Sequence, residues 1–237
     1  MTNDSTKISP FQVWLIDTER TADPYELATL NCAERDRVHR YKRECDRNSF
    51  LRTRAALRQL LADAVGAEPQ ALQFIENSWG KPMLAGKAAN SVSFSVSHTA
   101  GLSVVAVSDG RKIGIDMERI RLVPDHDRIA LHVFGASVAY SLSRLQAVVR
   151  DRAFLQLWTA TEAFLKATGT GFSGKPPELP LVFCENSGAV QLAPDCTSRS
   201  QLSVSLLSLS LPAGFLGNLI VENGVDDTAV VECIRCN

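Results

Sequence analysis

The sequence predicts an α+β fold made of two similar α+β halves. Three observations carry this expectation. Residues 40–65 and 140–168 are rich in good helix formers, contain no Pro or Gly, and stop at Gly66 and Gly169. Each helical stretch is followed, after a turn-rich interval, by a pair of alternating segments with the period of a half-buried strand. The same order of elements therefore occurs twice, although the residue identities do not visibly repeat. The natural cut lies near Ser108-Asp109-Gly110, which gives an N-terminal half of residues 1–109 and a C-terminal half of residues 110–237.

In the first half the strand pair is expected at 91–96 and 102–107, joined by a turn at Thr99-Ala100-Gly101. In the second it is expected at 202–211 and 215–221, with Pro212 and Gly214 marking the turn. Residues 201–221 carry no charge, but their first part alternates Leu and Val with Ser, so they read as strands rather than a membrane span. Residues 173–180, with three prolines, read as an exposed loop.

Composition excludes little. At 237 residues the chain suits one large domain or two small ones. The formal net charge of −1 predicts neither nucleic-acid nor membrane binding from bulk charge. The start lacks a basic region followed by an apolar core, so no secretory signal is read there. Six cysteines are scattered, and only Cys233 and Cys236 have ligand-like spacing. With no second pair, they are expected to be reduced thiols near a frayed end.

The chemistry is concentrated in two segments. In Gly114-Ile115-Asp116-Met117-Glu118, a strand would place Asp116 and Glu118 on one face and Ile115 and Met117 on the other, while Gly114 permits close backbone approach. In 158–166, a helix would align Trp158, Glu162 and Lys166 on one stripe. Either pattern alone also fits a solvated surface. Together, three carboxylates suit Mg²⁺ holding a phosphate ester, and a lysine suits a phosphate that gains charge as a bond breaks. A third segment is basic: between Glu34 and Arg58 lie nine positive residues against four acids. It could hold a polyphosphate or nucleic acid, or be solvated. Gly80-Lys81-Pro82 and Ser97-His98 add a lysine and a histidine that could converge on an anion.

In these motifs the chain resembles the 4′-phosphopantetheinyl transferases of the larger, single-chain type. The matching segments run in order: Asp46-Arg47-Asn48-Ser49-Phe50-Leu51-Arg52-Thr53-Arg54, Gly80-Lys81-Pro82, Phe94-Ser95-Val96-Ser97-His98, Gly114 to Glu118, and Trp158 to Lys166 followed by Ala167-Thr168-Gly169-Thr170-Gly171. The resemblance implies a pseudo-twofold arrangement of the halves with the active site in the cleft between them. It implies transfer of phosphopantetheine from coenzyme A to a serine of an apo acyl or peptidyl carrier protein, releasing 3′,5′-ADP. Asp116, Glu118 and Glu162 would ligate Mg²⁺, Glu162 would draw the serine proton, and Lys166 would neutralise the leaving phosphate. Arg47, Arg54, Lys81, Ser97 and His98, with Arg37, would hold the 3′-phosphate and adenosine end. The implied protein is cytoplasmic and monomeric and binds neither nucleic acid nor membrane.

Two positions depart from the family pattern. Thr161 stands where a Lys usually precedes the helix Glu, and Val138 stands where a Glu is frequent. The lost charges have opposite sign, which suggests an interacting pair dropped together. A catalytically weakened or inactive relative that still binds coenzyme A or a carrier is the alternative reading. Residues 123–139 are the expected carrier contact, or else part of the second core.

Overall fold

The computed structural model describes residues 10–86, 89–99, 101–171, 181–184, 189–192, 203–222 and 230–236. Its first half opens on strand β1 (Phe11–Asp17), which the sequence reading passed over. Both faces of β1 are buried: Val13 and Leu15 enter one apolar cluster, Ile16 and Trp14 another. A strand covered on both sides reads as a continuous apolar run without alternation.

Three helices follow: α1 (Pro24–Thr29), α2 (Cys32–Arg40) and α3 (Glu44–Val65). The single helix expected at 40–65 therefore begins at Glu44. A short extended segment, Tyr41 to Arg43, separates it from α2 and lets α2 lie against α3. Reciprocal capping boxes, Asp23 with Glu26 and Asn31 with Glu34, start α1 and α2. Gly66 ends α3 in the left-handed conformation, φ +67°. After the hairpin β2 (Phe74–Glu76) and β3 (Pro82–Leu84) come β4 (Ser93–Thr99) and β5 (Leu102–Ser108). Ala100, in the expected turn, lies outside the described residues.

The second half opens on β6 (Ile113–Arg119). It continues through α4 (His126–Val133), α5 (Gly135–Ser143) and α6 (Ala147–Thr168). The helix expected at 140–168 is thus two helices, broken at 144–146, and α6 stops at Gly169, φ +69°. Hairpin β7 (Leu181–Cys184) and β8 (Ala189–Leu192) precedes β9 (Val204–Ser210) and β10 (Phe215–Glu222). Short strands β11 (Val230–Glu232) and β12 (Ile234–Cys236) complete the order. Loop 173–180 lies outside the described residues.

The two halves share a plan of a strand, a long helix, and a hairpin whose second strand returns to pair antiparallel with the first. It runs β1, α3, β4, β5 and then β6, α6, β9, β10. The sheets have orders β12-β1-β5-β4 and β11-β9-β10-β6. Their inner faces share one core, with Val13, Val104, Ile115, Met117, Leu207 and Leu219 at its centre. Helix α3 covers the outer face of the first sheet, and α6 that of the second.

Two features tie the halves together. The edge strands β4 and β6 lie side by side and are bridged by serine hydroxyls: the amides of Ile115 and Met117 donate to Ser95 Oγ and Ser97 Oγ at 3.1 and 3.2 Å. Two otherwise open edges are thereby closed. Second, β11 pairs parallel with β9, while β12, one residue later, pairs parallel with β1 in the other sheet. The frayed end expected around Cys233 and Cys236 is instead a strap across both sheets. Cys233 and Cys236 are partly buried, and burial pushes both thiols up, Cys233 to about 11. The described cysteines are all free, and Cys196 lies outside the described residues.

Candidate active site

Asp116 and Glu118 share a face of β6 as their spacing predicts, but that face is covered rather than solvated, because α6 packs on it. Gly114 makes the contact possible. A Cβ there would overlap the Ala163 carbonyl oxygen and the Ala167 nitrogen, and would sit 2.9 Å from the Ala167 Cα. Asp116 is buried. Its Oδ1 accepts from Lys166 Nζ at 2.7 Å and from Ser97 Oγ at 2.8 Å. One strand, one helix and the serine seam therefore fix a single carboxylate.

Glu118 and Glu162 are half-buried around it. Burial first, and the negative charge of Asp116 second, raise both carboxyls above the usual glutamate range, while Lys166 opposes the shift. Both glutamates therefore feel the charge of Asp116. Among the described residues, no three His, Cys, Asp or Glu side chains are already gathered at metal-holding geometry. The Lys166 ammonium instead supplies the positive charge at Asp116. In chemistry, a donor set of three carboxylates nonetheless fits a hard divalent cation such as Mg²⁺.

Glu162 and Lys166 line a cavity of about 260 Å³, closed on its far side by Trp79, Gly80 and Lys81. That wall is pinned to the other half. Asn77 Nδ2 donates to the Gly169 carbonyl at 2.9 Å, and Lys81 Nζ donates to the carbonyls of Ile113 and Ala167 at 3.3 and 3.5 Å. A second cavity of about 440 Å³ adjoins the first at Pro82 and Val96. It is lined by Arg37, Arg54 and His98 together with Tyr41, Phe50 and Leu57.

The residues expected at the adenosine end are thus divided. Arg54, Arg37 and His98 meet in the larger cavity. Ser97, adjacent to His98 on a strand, points the opposite way and serves Asp116. Lys81 lines the smaller cavity, and Arg47 spends a donor on the Tyr41 carbonyl at 3.1 Å. The sequence reading missed Ser95, Asn77 and Glu34. Glu34 had a signal, the Asn31-x-x-Glu34 capping box, but that signal announces a helix start and not a site.

Lys81 is a mostly buried cation whose hydrogen-bond partners among the described residues are two carbonyls. Burial, helped by Lys112, lowers its pKa from 10.5 to about 8. Between these values the unfolded chain holds the proton and the folded one does not, so stability gains from this group as pH rises through the window. Lys81→Met should therefore be the more stable protein at pH 7.5, by about 1–3 kcal/mol, and lose that advantage by pH 10. Urea midpoints of both proteins at the two pH values check this. A difference that does not shrink contradicts it.

Thr161 is fully buried, and its hydroxyl donates to the Leu157 carbonyl of its own helix at 2.8 Å. Val138 packs into the apolar cluster of α4, α5 and α6. Neither position leaves a charge to be answered. Thr161→Lys alone should cost about 2–4 kcal/mol in stability, as a buried unpaired cation, without raising turnover. Thermal unfolding together with kcat tests this, and a large gain in rate refutes it.

Similarity to known proteins shows the family of the chain. Residues 21–110 match a model of the 4′-phosphopantetheinyl transferase N-terminal domain, and residues 112–210 match the 4′-phosphopantetheinyl transferase superfamily. The protein slr0495 of Synechocystis sp., to which 4′-phosphopantetheinyl transferase activity is ascribed, is 37% identical over 184 residues, covering 78% of this chain and 74% of that one. The 4′-phosphopantetheinyl transferase HetI of Nostoc sp. is 35% identical over 147 residues, 62% of each chain. A 4′-phosphopantetheinyl transferase of Bacillus subtilis is 29% identical over 150 residues, 62% of this chain and 63% of that one. With its two α+β halves and both domain models matched in order, the chain belongs to the 4′-phosphopantetheinyl transferase family of enzymes.

Proposed function

We propose that this enzyme transfers the 4′-phosphopantetheine of coenzyme A to a serine of an apo acyl or peptidyl carrier protein and releases 3′,5′-ADP. The observation that carries this reading is the pair of adjoining cavities. One is walled by Glu162 and Lys166, the other by Arg54, Arg37 and His98, and the two meet at Pro82 and Val96. A molecule with a pyrophosphate at one end of its adenosine and a 3′-phosphate at the other suits both. The serine oxygen bonds to the phosphorus that carries pantetheine, and the bond from that phosphorus to the oxygen of 3′,5′-ADP breaks. Glu162, raised by its surroundings, takes the serine proton directly or through a water. Lys166 neutralises charge on the departing phosphate. Asp116, Glu118 and Glu162 would hold Mg²⁺, which supplies Lewis-acid neutralisation of the pyrophosphate when bound.

Residues 1–109 then form the half that holds the nucleotide end, and residues 110–237 the half that carries metal and catalytic side chains. The domain models support a division near this point. For the carrier, α4 and its neighbours offer exposed Leu131, Tyr140 and Val148, with the Arg144 guanidinium 5.8 Å from the Tyr140 ring centroid. Val123, Phe134 and Val138 from the same region pack the core instead. Exposed apolar side chains beside an arginine suit the surface of an acidic carrier. The reading places the enzyme in the cytoplasm as a monomer whose own halves form both walls of the site. Among the described residues, no helix is long and apolar enough to cross a membrane.

The test is the intact mass of an apo carrier protein incubated with the enzyme, coenzyme A and Mg²⁺. A gain of one phosphopantetheine, abolished by EDTA, is expected. No gain across several carriers, with coenzyme A binding retained in calorimetry, leaves a binding protein in place of the transferase.

A further inference from the structure

Glu34 stands on α2 and takes no part in the chemistry above, yet among the described carboxylates of the first half it is the one bonded to two arginines. It is 8% exposed. Its Oε1 accepts from Arg54 Nε at 2.5 Å, and its Oε2 accepts from Arg58 Nε at 2.6 Å and from the Asn31 amide at 3.0 Å. Arg58 is fully buried and further donates to the carbonyls of Pro69 and Leu72, so it is anchored and cannot follow a ligand. Arg54 differs from it. Its guanidinium lies 3.8 Å from the Phe74 ring centroid, it lines the larger cavity, and among the described residues Glu34 is its one hydrogen-bond partner. The carboxylate takes the Nε edge and the ring takes one face. The terminal N–H groups of Arg54 are left for whatever enters the cavity.

We propose that Glu34 is a positioning residue that sets the preference for coenzyme A over its 3′-dephospho form, by holding Arg54 in a phosphate-ready orientation beside Arg37 and His98. This rests on the reading of the larger cavity as the 3′-phosphate end. The physical reason is preorganisation. A free arginine loses several rotamers on binding a phosphate, whereas one locked by a carboxylate and a ring has already lost them. Glu34 also prevents repulsion between Arg54, Arg58 and Arg37 from driving Arg54 out of the cavity. Its carboxyl lies below the usual glutamate range. Burial opposes that shift, and the two arginines outweigh it, so the folded environment favours the charged carboxylate.

The test is calorimetric binding of coenzyme A and of 3′-dephospho-coenzyme A to the full-length wild type, Glu34→Gln, Arg54→Met and the double variant, with kcat measured alongside. The wild type should prefer coenzyme A. In Glu34→Gln that preference should fall about tenfold or more, through weaker binding of coenzyme A alone, with kcat at saturation within about twofold of wild type. Adding Glu34→Gln to Arg54→Met should change the preference no further, because the carboxylate acts through that arginine. Equal weakening toward both ligands marks a merely structural role and overturns the proposal, as does an additive double variant. A wild type indifferent to the 3′-phosphate overturns the underlying reading of the cavity. A wild-type preference left intact in Glu34→Gln overturns the role of Glu34 alone. If Glu34→Gln does not fold, Glu34→Asp carries the same expectation, since it keeps the charge but is one methylene too short to hold both arginines.

Discussion

Glu162→Gln should lower turnover by about 10²–10⁴, the range expected when a general base is removed. Binding of 3′,5′-ADP, which does not need that proton transfer, should change by less than about threefold. The substitution keeps the volume of the side chain, and α6 is held by other contacts: Ala160, Ala163 and Ala167 in its apolar cluster and Thr159 bonded to Asn218 Nδ2 at 2.7 Å. The fold should therefore survive. Single-turnover transfer to an apo carrier, with far-ultraviolet circular dichroism as the control for folding, checks the expectation. A rate within tenfold of wild type means that Glu162 is neither base nor metal ligand. Asp116 is a poorer choice for this experiment. Its loss also frees Lys166 and Ser97, so rate and structure would fall together.

The largest effect on stability is expected at Gly114. An added methyl at this position meets main-chain atoms of α6, not the movable end of a side chain, and on the sheet side β6 is bonded to β10 along its length. The helix and the strand must separate. Overpacking of this kind costs about 3 kcal/mol or more, which for a chain of this size lowers Tm by about 6–12 °C. Because Asp116 and Glu118 follow on the same strand, Gly114→Ala should lose activity below its melting temperature as well. A variant with unchanged Tm and rate shows that the packing distance between β6 and α6 is not critical. Alanine at Gly66 meets no atom within 4 Å, but φ there is +67°, so it measures backbone strain alone and gives the comparison.

These two predictions use residues that the sequence made legible. Alternation around Asp116 and the four-residue stripe from Trp158 to Lys166 place side chains by local geometry, and the structure sets them as those periods require. What the sequence concealed depended on long-range pairing. Strand β1 has apolar residues on both faces, so no alternation announces it, and β12 is three residues whose partner strand lies at the opposite end of the chain. The breaks at 41–43 and 144–146 carry no Pro or Gly and follow from packing between helices. The resemblance assigns both Ser97 and His98 to the 3′-phosphate and adenosine end, whereas the period of two turns adjacent strand residues to opposite faces, Ser97 to Asp116 and His98 to the larger cavity. Glu34 and Arg54 are twenty residues apart, and only the packing of α2 on α3 brings them together.

The strap formed by β11 and β12 has a consequence for synthesis of the chain. Until residues 234–236 leave the ribosome, the outer edge of β1 has no partner, even though every other strand of its sheet has been made. During translation the first half therefore presents an open strand edge, of the kind that another nascent copy can pair with. Its native closure waits for residues translated more than two hundred positions later, so the strand made first is the last in its sheet to gain a partner on both edges.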